Sequence, residues 1–338
     1  MNAKAPYVLS PFHLTLLGGT ALADTTKGAL LFKTGQYAQA LPELLAPANA
    51  GDSTAQVYLG QLYENGSGVK ADLKQAAVWY TKAAKAGNTD GMDHLGQLYK
   101  YGQGVPYDNK QAVFWFLKAA NAGNTTGMVD LGGQYESGSG APENHKLAAS
   151  LYLKAARAGN TEGMFELGLA YGNGMGVPQD YQQALNWHKQ GAAAGNSKCM
   201  ALIAQMYMRG QGVPRDAVQT AVWWRKAAEA GNTAGMEKLG QAYAQGQGVK
   251  QDFVQAAAWY LKGAQAGYVD SMTDLGRLYL SGQGVKQDDA QAATWFLKGA
   301  QAGSSDCMAE LAKLYASGQG VPKDPAKAKY WQGKADGT

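Results

Sequence analysis

The sequence predicts an all-α protein, an α-solenoid of antiparallel helix pairs. Three observations predict it. An Ala-Gly pair recurs every 36 residues, closing at Gly51, Gly87, Gly123, Gly159, Gly195, Gly231, Gly267 and Gly303 with no insertion. Each period carries two runs of apolar residues at helical spacing. Between the runs lie glycines and then an aspartate, the residue types that stop one helix and start the next. A period this strict marks a stacked-repeat array, and its unit is a helix pair that buries its apolar face only against its neighbours.

Taken in order, residues 1–23 lie outside the repeat. They hold one basic residue, Lys4, then an apolar stretch, then Ala21-Leu22-Ala23 ahead of Asp24. That is the layout of a secretory signal peptide, with cleavage expected after Ala23. Pro11 and His13 interrupt the apolar run, which is too short to be a transmembrane helix. Residues 24–51 read as a truncated first pair capping the array. Gly35-Gln36 stand in for the long loop, and Ala40 falls in the register of a second-helix alanine.

Eight full repeats fill residues 52–338, starting at Asp52, Asn88, Asn124, Asn160, Asn196, Asn232, Tyr268 and Ser304. Repeat positions are counted 1–36 from each of these residues. Position 2 is Ser or Thr except at Val269, and is expected to cap the first helix. Positions 5, 8 and 12 form its stripe, as in Met92, Leu95 and Tyr99. Position 9 is Gly or Ala throughout. A mid-helix glycine costs roughly 1 kcal/mol against alanine, so a close helix–helix approach is expected there. Glycines at 15 and 17 end the helix. Asp at 21 (Asn144 in the third repeat), followed in six repeats by Gln at 24, predicts a capping box opening the second helix. That helix carries Ala or Thr at 25 and Trp at 28, with Leu151 replacing the tryptophan once. The Trp and Met ladders are expected in the core. The whole is expected to form a right-handed superhelix.

The motif A-x-x-x-L-G-x-x-Y, then G-x-G-V-x-x-D, then A-x-x-W resembles the Sel-1-like repeat family of bacterial type, relatives of the tetratricopeptide repeats. It stands here as Leu59-Gly60…Tyr63, Gly66-Ser67-Gly68-Val69, Asp72 and Ala76…Trp79. The resemblance implies a protein-interaction scaffold. Known family roles are quality-control adaptors in eukaryotes and envelope, signalling and secretion-linked proteins in bacteria.

Chemistry is hard to place on this chain. Net charge is +4, with 17% charged residues and no basic block, so the footprint of a nucleic-acid binder is absent. The lysines at position 31 sit late in the second helix, where they favour its dipole. Cys199 and Cys307 are three repeats apart, beyond the roughly 7 Å that a disulfide allows between Cα atoms, so no disulfide is expected. His13, His94, His145 and His188 share no ligand spacing, so no metal or cofactor site is expected, and no nucleophile–base set appears. The G-x-G loops follow a helix and precede a capping aspartate, which repels phosphate.

By analogy with tetratricopeptide repeats, positions 3, 6, 10 and 13 face a concave groove. The polar candidates are Asp93, Gln97, Gln241 and Arg277. An apolar patch of Phe165, Leu169 and Met208, with Gln205 between, marks the expected partner site. The expected function is a non-enzymatic scaffold or adaptor that binds a protein or peptide, periplasmic or secreted if the leader is removed and cytoplasmic otherwise. Two other readings remain open: an immunity protein that neutralises a secreted toxin, and a small-molecule binder or hydrolase, cell-wall or β-lactam-directed, as described for cysteine-rich relatives.

Overall fold

The computed structural model describes residues 19–337, with side chains from residue 25 onward. Most of the expected leader lies outside the described residues. The described residues contain eighteen α-helices and no strand, and consecutive helices pack as pairs. They fall into two units that divide after Asn144. The first holds α1 (Gly19–Lys33), α2 (Tyr37–Asn49), α3 (Ser53–Asn65), α4 (Leu73–Lys85), α5 (Thr89–Tyr101), α6 (Asn109–Asn121) and α7 (Thr125–Ser137). The second holds α8 (His145–Arg157), α9 (Thr161–Asn173), α10 (Tyr181–Ala193), α11 (Ser197–Arg209), α12 (Ala217–Glu229) and α13 (Thr233–Gln245). It continues through α14 (Phe253–Gln265), α15 (Val269–Ser281), α16 (Asp289–Gln301), α17 (Ser305–Ser317) and α18 (Pro325–Ala335).

The first-helix cap sits one residue earlier than the sequence suggested. Position 1 is the N-cap, and Ser or Thr at position 2 is already helical. Asn88 Oδ1 accepts from the backbone N–H of Asp90 and Gly91, both at 3.0 Å. The same side chain turns its amide nitrogen to the preceding repeat, where Asn88 Nδ2 donates to Ser53 Oγ at 3.3 Å. Asparagine does both with separate atoms, its oxygen capping its own helix and its amide nitrogen donating to the preceding repeat. Tyr268 provides no side-chain cap for α15.

Aspartate at position 21 does cap the second helix. Asp72 Oδ1 accepts from Lys74 and Gln75 at 3.0 Å. The reciprocal half of a capping box is replaced. The Asp72 backbone N–H donates to the carbonyl of Tyr63, and Asp108 repeats this with Tyr99. The position-12 tyrosine carbonyl therefore does the work expected of the position-24 glutamine.

The core centres on position 29, one residue beyond the tryptophan ladder. Tyr80, Phe116 and Phe296 are fully buried there. Each ring packs against the position-9 glycine of its own repeat. A Cβ on Gly96 would come within 2.5 Å of Phe116 Cε1. The glycine thus admits an aromatic ring rather than a second helix backbone. In the N-terminal pair, Leu44 plays the ring's part, and a Cβ on Gly28 would come within 2.7 Å of it. Position 17 is glycine for two reasons. Gly104 has φ +71°, and its α-carbon sits against the Leu73 backbone at the start of the preceding repeat's second helix.

The tryptophans at position 28 are only partly core. Trp79 and Trp295 are buried, while Trp115, Trp187, Trp223 and Trp259 are half-buried. Their outer faces are covered by the recurring lysines. Lys82 and Lys226 Nζ stand 4.0 Å from the ring centroids of Trp79 and Trp223. Lys262 and Lys298 do the same over Trp259 and Trp295 at 4.1 and 4.3 Å. The i, i+3 spacing of a helix brings each pair together. Met164 and Met272 are buried, and the other ladder methionines are half-buried at the core edge.

Candidate functional site

Positions 7, 10 and 13 of the first helices form a polar row. In the first unit, Gln61 Nε2 lies 3.1 Å from His94 Nε2, and Gln97 Nε2 donates to Asp130 Oδ2 at 2.6 Å. Both pairs run from position 10 of one repeat to position 7 of the next. Tyr80 from the second helix completes the row, donating its hydroxyl to Glu64 Oε2 at 2.5 Å. His94 stacks on the Tyr80 ring at 4.7 Å. Burial, then the Glu64 bond and charge, raise the Tyr80 phenol far above its ordinary range. Burial lowers the His94 imidazole.

In five of the eight repeats position 6 is turned inward, while Val129, Phe165 and Ala309 are half-buried. Val57, Asp93, Ala201, Glu237 and Thr273 are all buried. Asp93 is 7% exposed, and its Oδ1 has no hydrogen-bond partner. Burial first, and the adjacent Asp130 second, push its carboxyl well above the carboxylate range. The α-helical stripe explains this. Position 6 follows the core residue at position 5, and the bulky position-29 ring widens the buried arc to include it.

The remaining expected site residues lie as follows. Gln97 is bound to Asp130. Arg277 is exposed but surrounded by Asp274 at 3.6 Å, Asp306 at 3.7 Å and Glu310 at 3.9 Å. Phe165 is half-buried, with Lys198 Nζ 5.2 Å from its ring and the His188 ring at 6.2 Å. Leu169, Gln205, Met208 and Gln241 line two cavities of the second unit, one on each side of α11. Met208, in the wall of the larger, is 47% exposed.

The two cavities share one address in the repeat. Each is bounded by the end of a first helix, the second helix that follows, and the next first helix. The smaller, about 170 Å³, lies among α9, α10 and α11, with Leu169, Gly172, His188, Gln205 and Arg209 in its wall. The larger, about 580 Å³, lies among α11, α12 and α13, with Met208, Trp224, Lys238 and Gln241 in its wall. His188 occupies position 29, where the other second-helix pairs of this unit carry Tyr, Trp or Phe up to Phe296. It is 3% exposed, and its Nδ1 has no hydrogen-bond partner. Burial lowers its pKa to about 4, so the ring is neutral at pH 7.

Sequence reasoning overlooked His188, Gly172 and Arg209. It sorted histidines by ligand spacing, and the repeat register was the signal that mattered. The aromatic position-29 column breaks at His188, in the repeat whose position 13 is Gly172. Cys199 and Cys307 are buried and free. Among the described residues, no group of three or more His, Cys, Asp or Glu side chains is arranged to hold a metal ion. No described helix is long and apolar enough to cross a membrane.

The Sel1 repeat family model matches residues 53–88, 89–124, 126–160, 161–196, 197–232, 233–268, 269–304 and 305–335. The chain belongs to the Sel1 repeat family. It is similar to a Sel1 repeat protein from Oxalobacter formigenes, with 33% identity over 88% of each chain and a TM-score of 0.70. It is also similar to a protective antigen of uropathogenic Escherichia coli displaying an SLR fold. There the identity is 31%, covering 93% of this chain and 76% of that one, with a TM-score of 0.58. No curated protein matches significantly. Sel1 repeat proteins are in general protein-interaction scaffolds and typically non-enzymatic.

Proposed function

We propose that this protein is a non-enzymatic scaffold that holds a protein or peptide partner on the first-helix face of its second unit, around α11. The observation that carries this reading is the pair of adjacent cavities flanking α11, with exposed Met208 in the wall of the larger. Cavities at successive repeats suit successive side chains of one extended segment. Their walls mix Leu169, Met208 and Trp224 with Gln205, Gln241, Lys238 and Arg209. An apolar floor with a few polar groups favours recognition of a side chain over catalysis. Export of the chain, with residues 1–23 removed, places this activity in the bacterial envelope.

Affinity capture from the native host tests the face, with wild type beside a Phe165→Glu, Leu169→Glu double variant. The wild type is expected to retain one dominant protein that the variant loses, with unchanged helicity by circular dichroism. Retention by the folded variant would move the site off this face. Intact mass of exported protein tests the leader, and a chain starting at Asp24 is expected.

A further inference from the structure

We propose that the cavity among α9, α10 and α11 is a receptor for a carboxylate side chain, the Glu or Asp of a bound peptide. The inference rests on the docking face proposed above and names what one of its cavities takes.

The argument begins with a missing group. In the repeat that starts at Asp52, position 13 is Glu64, and the position-29 side chain Tyr80 donates to it. In the repeat that starts at Asn160, position 13 is Gly172 and position 29 is His188. Both halves of the pair have shrunk together, and the cavity is the space they leave. Gly172 is not required by the backbone or by crowding. Its φ is not positive. The nearest heavy atom that a Cβ there would meet is Ala184 Cβ, at 3.8 Å. Helical glycines such as Gly91 and Gly191 instead have an atom at 2.6 and 2.5 Å. A glycine in a helix that no neighbour demands costs stability and keeps a volume open.

The polar groups left around that volume favour an anion. Arg209 forms no ion pair among the described residues. No carboxylate lines the cavity. Tyr181, in the cavity wall, accepts at its Oη from Gln179 at 3.1 Å and from Gln211 at 3.3 Å, which leaves its own hydrogen available to donate. His188 offers a buried nitrogen with no partner. An unpaired buried polar atom is costly until something bonds to it. The volume is below the range of drug-sized ligand sites and suits one side chain. An incoming carboxylate takes the place that Glu64 fills in the earlier repeat. It pairs with the Arg209 fork and accepts from Tyr181 and from the protonated nitrogen of the His188 ring.

The test uses the full chain labelled with ¹³C-histidine, with the His188 ring resonance identified by its loss in His188→Phe. N-acetyl-L-glutamic acid α-amide is titrated at pH 7 beside N-acetyl-L-glutamine amide. The acid is expected to shift the His188 resonance saturably and the glutamine amide to leave it unmoved. Arg209→Gln, an exposed and foldable change, is expected to weaken the response about fivefold or more. Gly172→Glu is expected to fill the site from within and abolish the response. Equal response to acid and amide, no response to either, or an unaffected Arg209→Gln variant would each overturn the assignment. Failure here with normal partner capture by wild type removes the carboxylate alone. Loss of the docking face is read separately, in the Phe165→Glu, Leu169→Glu variant.

Discussion

The repeats Asp52–Gly87 and Asn160–Gly195 share one frame and fill it differently at three pairs of positions. The first sets Ala83 against Gly91 of the next repeat, and the second sets Gly191 against Cys199. Here the exchange is compensated, since the side chain lost on one helix reappears on the other. The first covers Trp79 with Lys82, while the second leaves Trp187 beside Gln190. The first closes Tyr80 onto Glu64, while the second leaves His188 facing the gap at Gly172. That last exchange is uncompensated. Packing alone drives paired substitutions back to a filled core. A pair that shrinks on both sides points to selection for the space itself.

The largest expected effect comes from emptying the closed site. Tyr80→Ala removes a fully buried ring and its bond to Glu64, and should cost about 3–5 kcal/mol. His188→Ala removes a smaller ring beside space that is already open, and should cost about 1–2 kcal/mol. Urea unfolding, with hydrogen exchange of α4 and α10 to localise the loss, measures both. Equal costs would mean that the two repeats are packed alike and would erase the distinction.

The second effect is a pair of pH dependences of opposite sign, at His188 and at Asp93 in the repeat that follows Asp52–Gly87. His188 binds its proton near pH 4 when folded and near 6.5 when unfolded. Between those values the unfolded chain holds more protons, so its contribution is intact above pH 6.5 and is lost as pH falls toward 4. The loss amounts to about 3 kcal/mol. Asp93 runs the other way. Its folded carboxyl stays protonated above the ordinary carboxylate range, so its contribution is present in acid and is lost as pH rises past that range. His188→Phe, the residue type that Phe116 and Phe296 supply at this position, should reduce the acid limb only, leaving the part that His94 contributes. Asp93→Asn should reduce the alkaline limb only, leaving the part that Glu237 and Asp274 contribute. Thermal melts from pH 4 to pH 8 check both, and a single variant that reduced both limbs would contradict the assignment.

Much of the frame was legible in the sequence because each repeat is a copy that tests its neighbours. The period, the two helices, Asp72 as a cap and the glycines at 15 and 17 all follow from residue types that recur. What stayed hidden was which residue of an adjacent pair turns inward. Trp79 and Tyr80 are both aromatic and both recur, and helical spacing alone does not choose between them. Only the ring seated on Gly60 does. The same limit applied to Asn88 and Thr89, either of which can cap a helix. The candidate site was partly legible. Phe165, Leu169 and Met208 stood out as an apolar break from polar neighbours, but a cavity made by two absences, at Gly172 and His188, leaves no motif.

A smaller effect tests whether the compensated pair is truly compensated. A Cβ on Gly191 would come within 2.5 Å of Cys199 Sγ. Gly191→Ala should therefore cost about 1–3 kcal/mol through overpacking. Adding Cys199→Gly recreates the arrangement of Ala83 and Gly91, and should recover most of that loss apart from the cost of one more helical glycine. A double-mutant cycle on urea midpoints measures the coupling. Additive costs would show that the two positions do not share one volume, and the contrast with Gly172 and His188 would lose its control.

The smallest effect lies on the surface. Lys82 stands over Trp79 at 4.0 Å, and Gln190 holds the same place beside half-buried Trp187. A solvated lysine over the outer face of an indole contributes about 0.5–1 kcal/mol. Lys82→Gln should lower stability by that amount, and Gln190→Lys should raise it by a similar amount. Both changes sit late in a second helix, where a positive charge also favours the helix dipole by a few tenths of a kcal/mol. Lys154 separates the two contributions, because its i−3 neighbour is Leu151 and not an aromatic ring. Lys154→Gln should therefore show the dipole part alone. If Lys82→Gln costs no more than Lys154→Gln, the ring adds nothing, and the recurring lysines serve the helix end rather than the tryptophan face.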